Sequence, residues 1–356
     1  MAQICIISEE YVHYPHPPID DQYPIAVSAS RPSHSQKNMT TPEISKPKTS
    51  PYNRNFDLHL TLHDIHPTWK SRKPDLEEIK ATLAVPRPSL SPSRFSEGEF
   101  ESFCYRNDQA EDEDSVVANV LPAILGQSQA NLHCARNTVF ANLEPLTDGT
   151  VIAPKPDIYY GAYPDQLAKS TRNELAGHIM PSTMEDKPMA PNFFLEVEGL
   201  DGNPAVATRQ ARYDGAVGSR AMHSLQNYGT EKPQYDGKVY TFSSVYHGGM
   251  LQLCAHYVTA PTTEGGRPEY HMIRIRGFAM TDSRDTFVEG AGALRNMLDL
   301  AERYRSDFIQ AANISTSTGD NRSPRRHRSQ VIGRNNNNGR VANRPSHKWL
   351  IGSSFD

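Results

Sequence analysis

Cysteine is scarce in this sequence, and the few that occur are scattered. The four positions, Cys5, Cys104, Cys134 and Cys254, contain no C-x-x-C pair. A zinc ribbon requires such pairs and a small secreted scaffold requires closely spaced disulfides, so both classes are excluded. We therefore expect reduced thiols in an intracellular protein.

Long apolar runs and a strong net charge are also absent. No stretch approaches the roughly 18 apolar residues of a membrane-spanning helix, and the N-terminal run ICII is too short for the core of a signal peptide. The formal net charge is -4, which gives the chain as a whole no strong attraction to nucleic acid or to an anionic membrane. We expect no membrane association, and any basic surface must be local.

Hydrophobic periodicity is missing from both ends of the chain. Residues 1–50 are rich in Pro, Ser, His and Thr, and residues 314–356 contain SPRRHRS and a run of asparagines. Neither composition buries enough apolar surface to offset the entropy lost on ordering, so we expect disorder at both ends. The basic C-terminal tail fits a nuclear import signal, a non-specific phosphate-binding arm, or a solvated tail without a function.

Between these ends the sequence contains a series of helix and strand patterns. Residues 51–110 predict a partly ordered extension, and residues 111–313 predict one domain of roughly 200 residues. Helix patterns occur at EDEDSVVANVLPAILG, around 165–179, at PAVATRQARYDGAVGSRAMHSLQNYG and at TFVEGAGALRNMLDLAERYRSDFIQAAN. Strand patterns occur at NTVFANLEPL, VIAPKPDIYYG, NFFLEVEG, KVYTFSSVYHGGMLQLCAHYVTA, which turns at its two central glycines, and YHMIRIRGFAM. This order predicts an α/β or α+β fold with a central sheet flanked by helices.

A proline and two glycines interrupt the helix patterns. Pro122 removes a backbone donor from the first helix, for which Asp114 or Ser115 is the predicted cap. Gly215 and Gly218 either weaken the long helix or mark its close packing against a sheet.

Two glutamates stand one residue apart in PNFFLEVEG. Side chains alternate along a strand, so Glu196 and Glu198 share a face with Phe194, while Phe193 and Leu195 line the other. Such a pair is either the polar side of a half-buried strand or one wall of a metal site. Taken alone, the pattern favours the solvated face.

An acid in the preceding strand pattern changes this balance. If the strands of KPDIYYG and PNFFLEVEG pair, Asp157 and Glu196 converge. Carboxylates packed together repel one another and raise their own pKa values. A shared Mg²⁺ or Mn²⁺, which takes oxygen ligands, removes that cost. The sequence therefore predicts Asp157 and Glu196 as metal ligands.

Polar residues on the two flanking helices complete the candidate site. Glu113 begins the first helix and either points toward the sheet or interacts with the helix dipole. Gln210 lies early in the long helix beside Arg209 and Arg212. These side chains either bind a phosphate group or lie on a solvated surface.

Together these segments resemble a known group of proteins. The stretch from about Glu113 to Asn313 is similar to an uncharacterised fungal family of the PD-(D/E)XK nuclease-like superfamily, through KPDIYYGAYPDQL, PNFFLEVEG, RQARYDGAVGSRAMHSLQNYG and the YHGG and ALRN segments. The resemblance implies a restriction-endonuclease-like core of a helix, three strands, a helix and another strand. It also implies Asp157 as the PD acid, Glu196 as the (D/E)XK acid, Gln210 as the polar residue of the following helix, and Glu113 as the helix acid.

One position departs from this family pattern. The lysine of (D/E)XK falls at position 198, which is Glu198. In such nucleases the lysine positions water and stabilises developing negative charge, and loss of one such donor costs about 2.7–4 kcal/mol. Either Lys155 or Arg209 supplies the cation from another backbone position, or Glu198 serves as an extra metal ligand, or catalysis is lost.

Two functional hypotheses follow from the resemblance and its exception. The first is a Mg²⁺- or Mn²⁺-dependent phosphodiester hydrolase acting on nucleic acid, with catalytic residues Glu113, Asp157, Glu196, Glu198 and Gln210 and substrate-binding residues Lys155, Arg209 and Arg212. The second is an inactive nuclease-like protein that binds nucleic acid or another protein. A strand face without a metal is the structural alternative to both.

A histidine-rich run lies outside the resemblance. LHLTLHDIHP places His59, His63 and His66 close to Asp64, a spacing that suits zinc on a helix or loop. No cysteine is nearby in the sequence, and a run without any metal is the alternative.

Overall fold

The structure, a computed structural model, describes residues 48–71, 73–126 and 132–320. They belong to one compact unit, Lys46–Asp356. Within these ranges no helix is both long enough and apolar enough to cross a membrane.

The predicted disordered ends, 1–50 and 314–356, lie outside the described residues except at their inner limits. Both limits need correction. Thr49 forms a parallel bridge with Val151, and the last helix continues past Asn313 to Asp320.

The described residues form both α-helices and β-strands. The α-helices are α1 (Phe56–Leu62), α2 (Glu77–Leu83), α3 (Glu97–Asp108), α4 (Glu113–Ser115), α5 (Leu121–Leu125), α6 (Lys169–Glu174), α7 (Ala176–Ile179), α8 (Pro204–Gln226) and α9 (Arg284–Asp320). The strands are β1 (Ile65–His66), β2 (Cys134–Arg136), β3 (Ile158–Ala162), β4 (Met189–Glu198), β5 (Val239–His247), β6 (Met250–Thr259) and β7 (Glu269–Ala279). A π-helix, Val116–Val120, lies between α4 and α5, and short 3₁₀ turns occur at Pro88–Leu90 and Pro164–Gln166.

The strands form one mixed sheet in the order β1-β7-β6-β5-β4-β3-β2. The β4–β5 and β1–β7 pairs are parallel and the other pairs are antiparallel. Parallel neighbours need a crossover connection, and α8 provides it between β4 and β5. The predicted α+β fold, a central sheet flanked by helices, is confirmed. The predicted strands at VIAPKPDIYYG and NFFLEVEG, the long helix and the strand after it correspond to β3, β4, α8 and β5, whereas β2 is not one of the predicted strands.

The two faces of the sheet pack against different helices, and the residues of β4 alternate between them. Phe193 and Leu195 belong to the larger core cluster, which includes residues of α3 and α9. Phe194 packs on the opposite face with Tyr213 and Val217 of α8. Glu196, two residues after Phe194, therefore lies on the face beneath α8.

Two glycines let α8 approach the sheet closely. A Cβ atom at Gly218 would lie 2.6 Å from Phe194 and 2.8 Å from Thr241, and one at Gly215 would overlap the imidazole ring of His256. The sequence offered two interpretations of these glycines, a weakened helix or close packing against a sheet, and the structure shows close packing.

The start of the first core helix differs from the sequence prediction. Asp112, not Asp114 or Ser115, is the cap, and its side chain accepts a hydrogen bond from the Ser115 N–H at 2.7 Å. Pro122 lies in the first turn of α5, directly after the π-helix. A proline is tolerated there because the first N–H groups of a helix have no intrahelical acceptor.

Residues 137–146 contain no strand, so the prediction from NTVFANLEPL is wrong. Asn137 has a left-handed φ of 49°, and Pro145 has no N–H to donate to a neighbouring strand. Phe140 and Leu146 nevertheless bury their side chains in the cluster beneath α8. In this segment the spacing of apolar residues indicates buried side chains and not a β-strand.

Residues 51–110 share the core of the domain, which corrects the predicted boundary at residue 111. Phe56 and Leu60 of α1 lie in the cluster beneath α8. Ile79 of α2 and Phe103 of α3 lie in the larger cluster on the opposite face of the sheet. Local sequence patterns do not report contacts between distant segments, and such contacts join residues 51–110 to the core.

Candidate functional site

Asp157 and Glu196 face each other across two paired strands. Ile158 lies opposite Leu195 in the antiparallel β3–β4 register, so the next pair outward is Asp157 with Glu196. Residues opposite each other in an antiparallel pair place their side chains on the same face. The N–H of Val197 donates to Asp157 Oδ2 at 2.8 Å, which holds the Asp157 carboxylate against β4.

Glu196 is fully buried beneath α8, with 0% of its surface exposed. When Glu196 and Asp214 are both ionised, neither carboxylate oxygen of Glu196 has a hydrogen-bond donor among the described residues. Burial, followed by the charges of Asp214 and Asp157, raises the pKa of Glu196 well above its ordinary value. A buried carboxylate without a partner is costly, so this side chain requires either a proton or a cation.

A third acid, Asp214, was missed by the sequence prediction. It lies on α8, one turn after Gln210, and it is 2% exposed. Its Oδ2 atom has no partner in the described part of the chain. Burial raises its pKa to about 7, and a hydrogen bond with Glu196 limits the rise. Two carboxyl groups form such a bond only when one of them carries a proton, so the bond is absent when both are ionised.

Glu113 adds a fourth acid from the N-terminus of α4. Burial raises the pKa of Asp157 to about 8, the Val197 N–H lowers it, and the charge and hydrogen bonding of Glu113 raise it further. We refer to Glu113, Asp157, Glu196 and Asp214 as the acid cluster. These four side chains come from α4, the residue before β3, β4 and α8.

A cavity of about 220 Å³ adjoins the acid cluster. Its lining includes Glu113, Asp157, Asp214, Lys155, Gln210 and Tyr52. Burial and the charges of Glu198, Glu113 and Asp157 raise the pKa of the Tyr52 hydroxyl, which lies close to these acids. Three members of the acid cluster therefore face the cavity, while Glu196 is enclosed behind them.

Glu198 and Lys155 lie at the margin of this site. Glu198 is half-buried at the end of β4, where its side chain packs on Gly202. Burial raises the pKa of Glu198, the Asn203 N–H lowers it, and the charge of Glu113 raises it. Lys155 is exposed and lines the cavity. Of the predicted site residues, these two lie beside the acid cluster without belonging to its buried centre.

The two predicted phosphate-binding arginines are instead engaged with α1. Arg209 Nε donates to Asp57 Oδ2 at 2.8 Å, and Arg212 Nη1 donates to Asp57 Oδ1 at 2.9 Å. Arg212 is 3% exposed, and its Nη2 also donates to the Thr61 hydroxyl and the Ile65 carbonyl. These contacts fasten α1 to α8, and neither arginine lines the cavity.

The donor atoms of the acid cluster are of the type that a hard divalent cation binds, although no three of its residues bring ligand atoms within 4.8 Å of one another. Its donors are carboxylate oxygens, and three of them, both of Glu196 and Oδ2 of Asp214, lack partners within the described ranges. Mg²⁺ and Mn²⁺ prefer oxygen ligands, and Mg²⁺ usually keeps several waters. The adjoining cavity leaves space for such waters.

A family model covers more than half of the chain. Residues 99–312 match the family described as Domain of unknown function (DUF7924). The chain belongs to this family. The DUF7924 region includes the whole acid cluster and strands β2 to β7, and it begins after α1 and α2. Neither the curated proteins nor the solved structures include a match to the chain.

The sequence of the DUF7924 region did carry a signal for Asp214. In RYDGAVG this acid stands between Tyr213 and Gly215, on a helix whose apolar residues and glycines indicate burial against a sheet. An acid in such surroundings needs a partner or a cation. Gln210 was selected because it matches the resembled motif, and it lies one turn earlier on the same helix face.

Proposed function

We propose that this chain is a metal-dependent phosphodiester hydrolase that acts on nucleic acid. The observation that carries the proposal is Glu196, which is fully buried with two unpartnered oxygens beside Asp157 and Asp214. Acids gathered in an interior repel one another and destabilise the fold unless a cation joins them. Strongly perturbed carboxyl groups beside a cavity are typical of functional sites.

The residues of the site have separate tasks in this proposal. Mg²⁺ or Mn²⁺, held by Asp157 and Glu196 with waters in the remaining positions, would supply Lewis acidity toward a phosphoryl oxygen. The Val197 N–H keeps the Asp157 carboxylate oriented. Gln210, in the cavity wall, would orient water or substrate through its side-chain amide.

Lys155 supplies the positive charge that position 198 lacks. It stands two residues before Asp157, is exposed and lines the cavity, so its flexible side chain can contact a substrate phosphate. Arg209 was the other candidate, but its guanidinium donates to Asp57 and to the carbonyl of Pro51. We therefore assign the substrate-binding cation to Lys155.

A second candidate function is an inactive nuclease-like binding module. Glu198 favours it, because a negative charge stands where the resembled family has a lysine and would oppose negative charge developing on a phosphate. In this alternative the acid cluster binds a divalent cation without turnover. The cavity would then contact nucleic acid or a protein partner.

A cleavage assay on the full chain separates these two functions. We expect the wild type to hydrolyse single-stranded DNA, double-stranded DNA or RNA in Mg²⁺ or Mn²⁺, and none of them in EDTA. Lys155→Met, which removes the charge but keeps the stem, should lower the rate by about 10²-fold. A metal-dependent rise in Tm without cleavage of any substrate would support the binding module. No response to metal in either measurement would contradict both functions.

Glu198→Lys is expected to increase metal-dependent cleavage by about 10²–10³-fold. The change replaces a negative charge near Glu113 with a cationic donor, and one well-placed donor to a developing charge contributes about this much. Glu198→Gln, which removes the charge without adding a cation, should give a smaller increase. Single-turnover rates on one oligonucleotide measure both effects. Unchanged rates in both variants would show that position 198 does not act on the substrate.

A further inference from the structure

The predicted histidine group is divided between two places in the structure. His59 lies on α1 and His63 directly follows the helix, and their ring centroids are 4.9 Å apart. His66 instead contacts Glu269 at 3.1 Å. Asp64 Oδ2 lies 4.0 Å from Arg267 Nε. The remaining pair, His59 and His63, therefore has neither of its predicted companions.

A distant residue, Asp148, takes their place. Its Oδ1 atom lies 3.3 Å from His59 Nε2 and 3.8 Å from His63 Nε2. In a tetrahedral zinc site with bonds of about 2.0–2.1 Å, two ligand atoms lie about 3.3 Å apart. Both distances to Asp148 are close to this separation, and the three ligand atoms all lie within 4.8 Å of one another.

The outer contact of His63 leaves its Nε2 available for a cation, whereas His59 Nε2 also lies 3.0 Å from the Thr150 hydroxyl, which an ion would displace. His63 Nδ1 lies 2.9 Å from the His59 carbonyl, which can only accept, so Nδ1 carries the proton and a neutral His63 has a bare Nε2. That bare nitrogen faces the Asp148 carboxylate, which is repulsive unless a proton or a metal ion lies between them. His59 Nδ1 lies 3.3 Å from the Thr49 hydroxyl, a second acceptor of the kind that orients metal-bound histidines.

Asp148 is also fixed in advance. The Thr150 N–H donates to Asp148 Oδ1 at 3.1 Å and the Thr150 hydroxyl donates to the same atom at 2.5 Å. These two hydrogen bonds hold the carboxylate in place before any ion binds.

We propose that His59, His63 and Asp148 form a zinc site that is separate from the acid cluster. Two imidazoles and one carboxylate are ligands that zinc accepts. Asp148 is 54% exposed in its side chain, so a fourth position is open to water. The ion connects α1 to the turn at Asp148. The contact between His59 and the Thr49 hydroxyl also connects the ion to the segment that leads to the cavity wall.

The polypeptide chain connects this zinc site to the candidate active site. Pro51 and Tyr52, two and three residues after Thr49, line the cavity beside the acid cluster, and Asp57 of α1 holds Arg209 and Arg212. A zinc ion that fastens Thr49 and α1 therefore keeps one wall of the cavity in place. The zinc has a structural role here and does not depend on the proposed hydrolase.

The test is metal binding by the full chain after removal of metals with a chelator. We expect Zn²⁺ to bind in calorimetry at this site, and Co²⁺ to give the intense visible bands of four-coordinate geometry. Asp148→Asn and His63→Gln should each weaken Zn²⁺ binding by more than about 100-fold. Thr49→Val, which removes only an outer contact, should weaken it by about 10–100-fold. Because Asp148 is exposed, its variant should keep the Tm of the zinc-free wild type.

Two control variants assign the ion. Glu269→Gln alters the other histidine group, formed by His66, Glu269 and His271, and Glu196→Gln alters the acid cluster. Glu269→Gln should bind Zn²⁺ with the affinity of the wild type, and Glu196→Gln, which removes any binding of Zn²⁺ by the acid cluster, should keep the site at Asp148. Loss of zinc in Glu269→Gln, unchanged affinity in both Asp148→Asn and His63→Gln, or no binding by the wild type would overturn the proposal.

Discussion

Glu196→Gln is expected to abolish metal-dependent hydrolysis and, at the same time, to stabilise the metal-free protein. The rate should fall by at least about 10³-fold, because a single electrostatic contact to the transition state is already worth 10²–10³-fold. At pH 8 the Tm in EDTA should rise by at least about 5 °C, since each kcal/mol shifts the Tm of a domain of this size by roughly 2 °C.

The gain in stability has a specific physical origin. Glu196 is buried without a partner beside Asp214 and Asp157, so its ionised form destabilises the folded state. The amide introduced by the change has nearly the same shape, carries no charge and can donate to Asp214. Sites that lose activity and gain stability on the same substitution are typical of functional residues held under strain.

Asp114→Asn is the matched control for this experiment. Asp114 is next to Glu113 in the sequence, but its side chain is 87% exposed and pairs only loosely with Arg136, at 3.6 Å. An exposed pair of this kind contributes roughly 0–1 kcal/mol, so both rate and Tm should stay near those of the wild type. A lower Tm in Glu196→Gln would show that Glu196 is a structural residue.

Without a divalent cation, the free energy of unfolding is expected to decrease as the pH rises from about 6.5 to about 8. In the unfolded chain, carboxyl groups ionise near pH 4. In the folded chain the pKa of Asp214 is raised to about 7, that of Asp157 to about 8, and that of Glu196 well above its ordinary value. The folded state therefore binds more protons than the unfolded state, and stability is lost as the pH rises.

Buried histidines set the lower limit of this pH window. Burial lowers the pKa of His256 to about 3 and that of His271 to about 4. Below about pH 6.5 these two histidines bind more protons in the unfolded chain than in the folded chain. Their contribution to the free energy of unfolding therefore increases with pH. Above that pH the histidines are neutral in both states, and the acid cluster determines the slope.

Urea unfolding across this window, in EDTA, measures the effect. A shift in the pKa of Asp214 from 3.8 to about 7 corresponds to on the order of 4 kcal/mol at the alkaline end. Asp214→Asn should therefore flatten the pH dependence and stabilise the metal-free protein there. Mn²⁺ should restore stability to the wild type because it replaces the missing protons. A wild type whose stability rises with pH in EDTA would contradict the arrangement.

Local sequence patterns were sufficient for the strands and the helix that frame the site. The alternation in PNFFLEVEG correctly separates the two faces of β4, since side-chain direction along a strand depends only on position. The two glycines of α8 indicated close contact with the sheet, because a Cβ atom at either position would collide with its neighbours. These features require no knowledge of distant residues.

Contacts between distant segments could not be predicted from local sequence patterns. Arg212 looks like a solvated or phosphate-binding residue until Asp57, far away in the sequence, is seen to bind it. Asp148 is an ordinary turn residue until His59 and His63 are placed beside it. Partners of this kind depend on the tertiary arrangement, which short-range periodicity does not contain.

The attachment of α1 to α8 limits how the protein can be shortened for laboratory work. A recombinant fragment cut at the family match, 99–312, would leave Arg212 in the interior without Asp57, and one buried charge would be uncompensated. It would also uncover the apolar surface that Phe56 protects, which favours aggregation. The shortest fragment suited to crystallisation or assay therefore begins before Thr49.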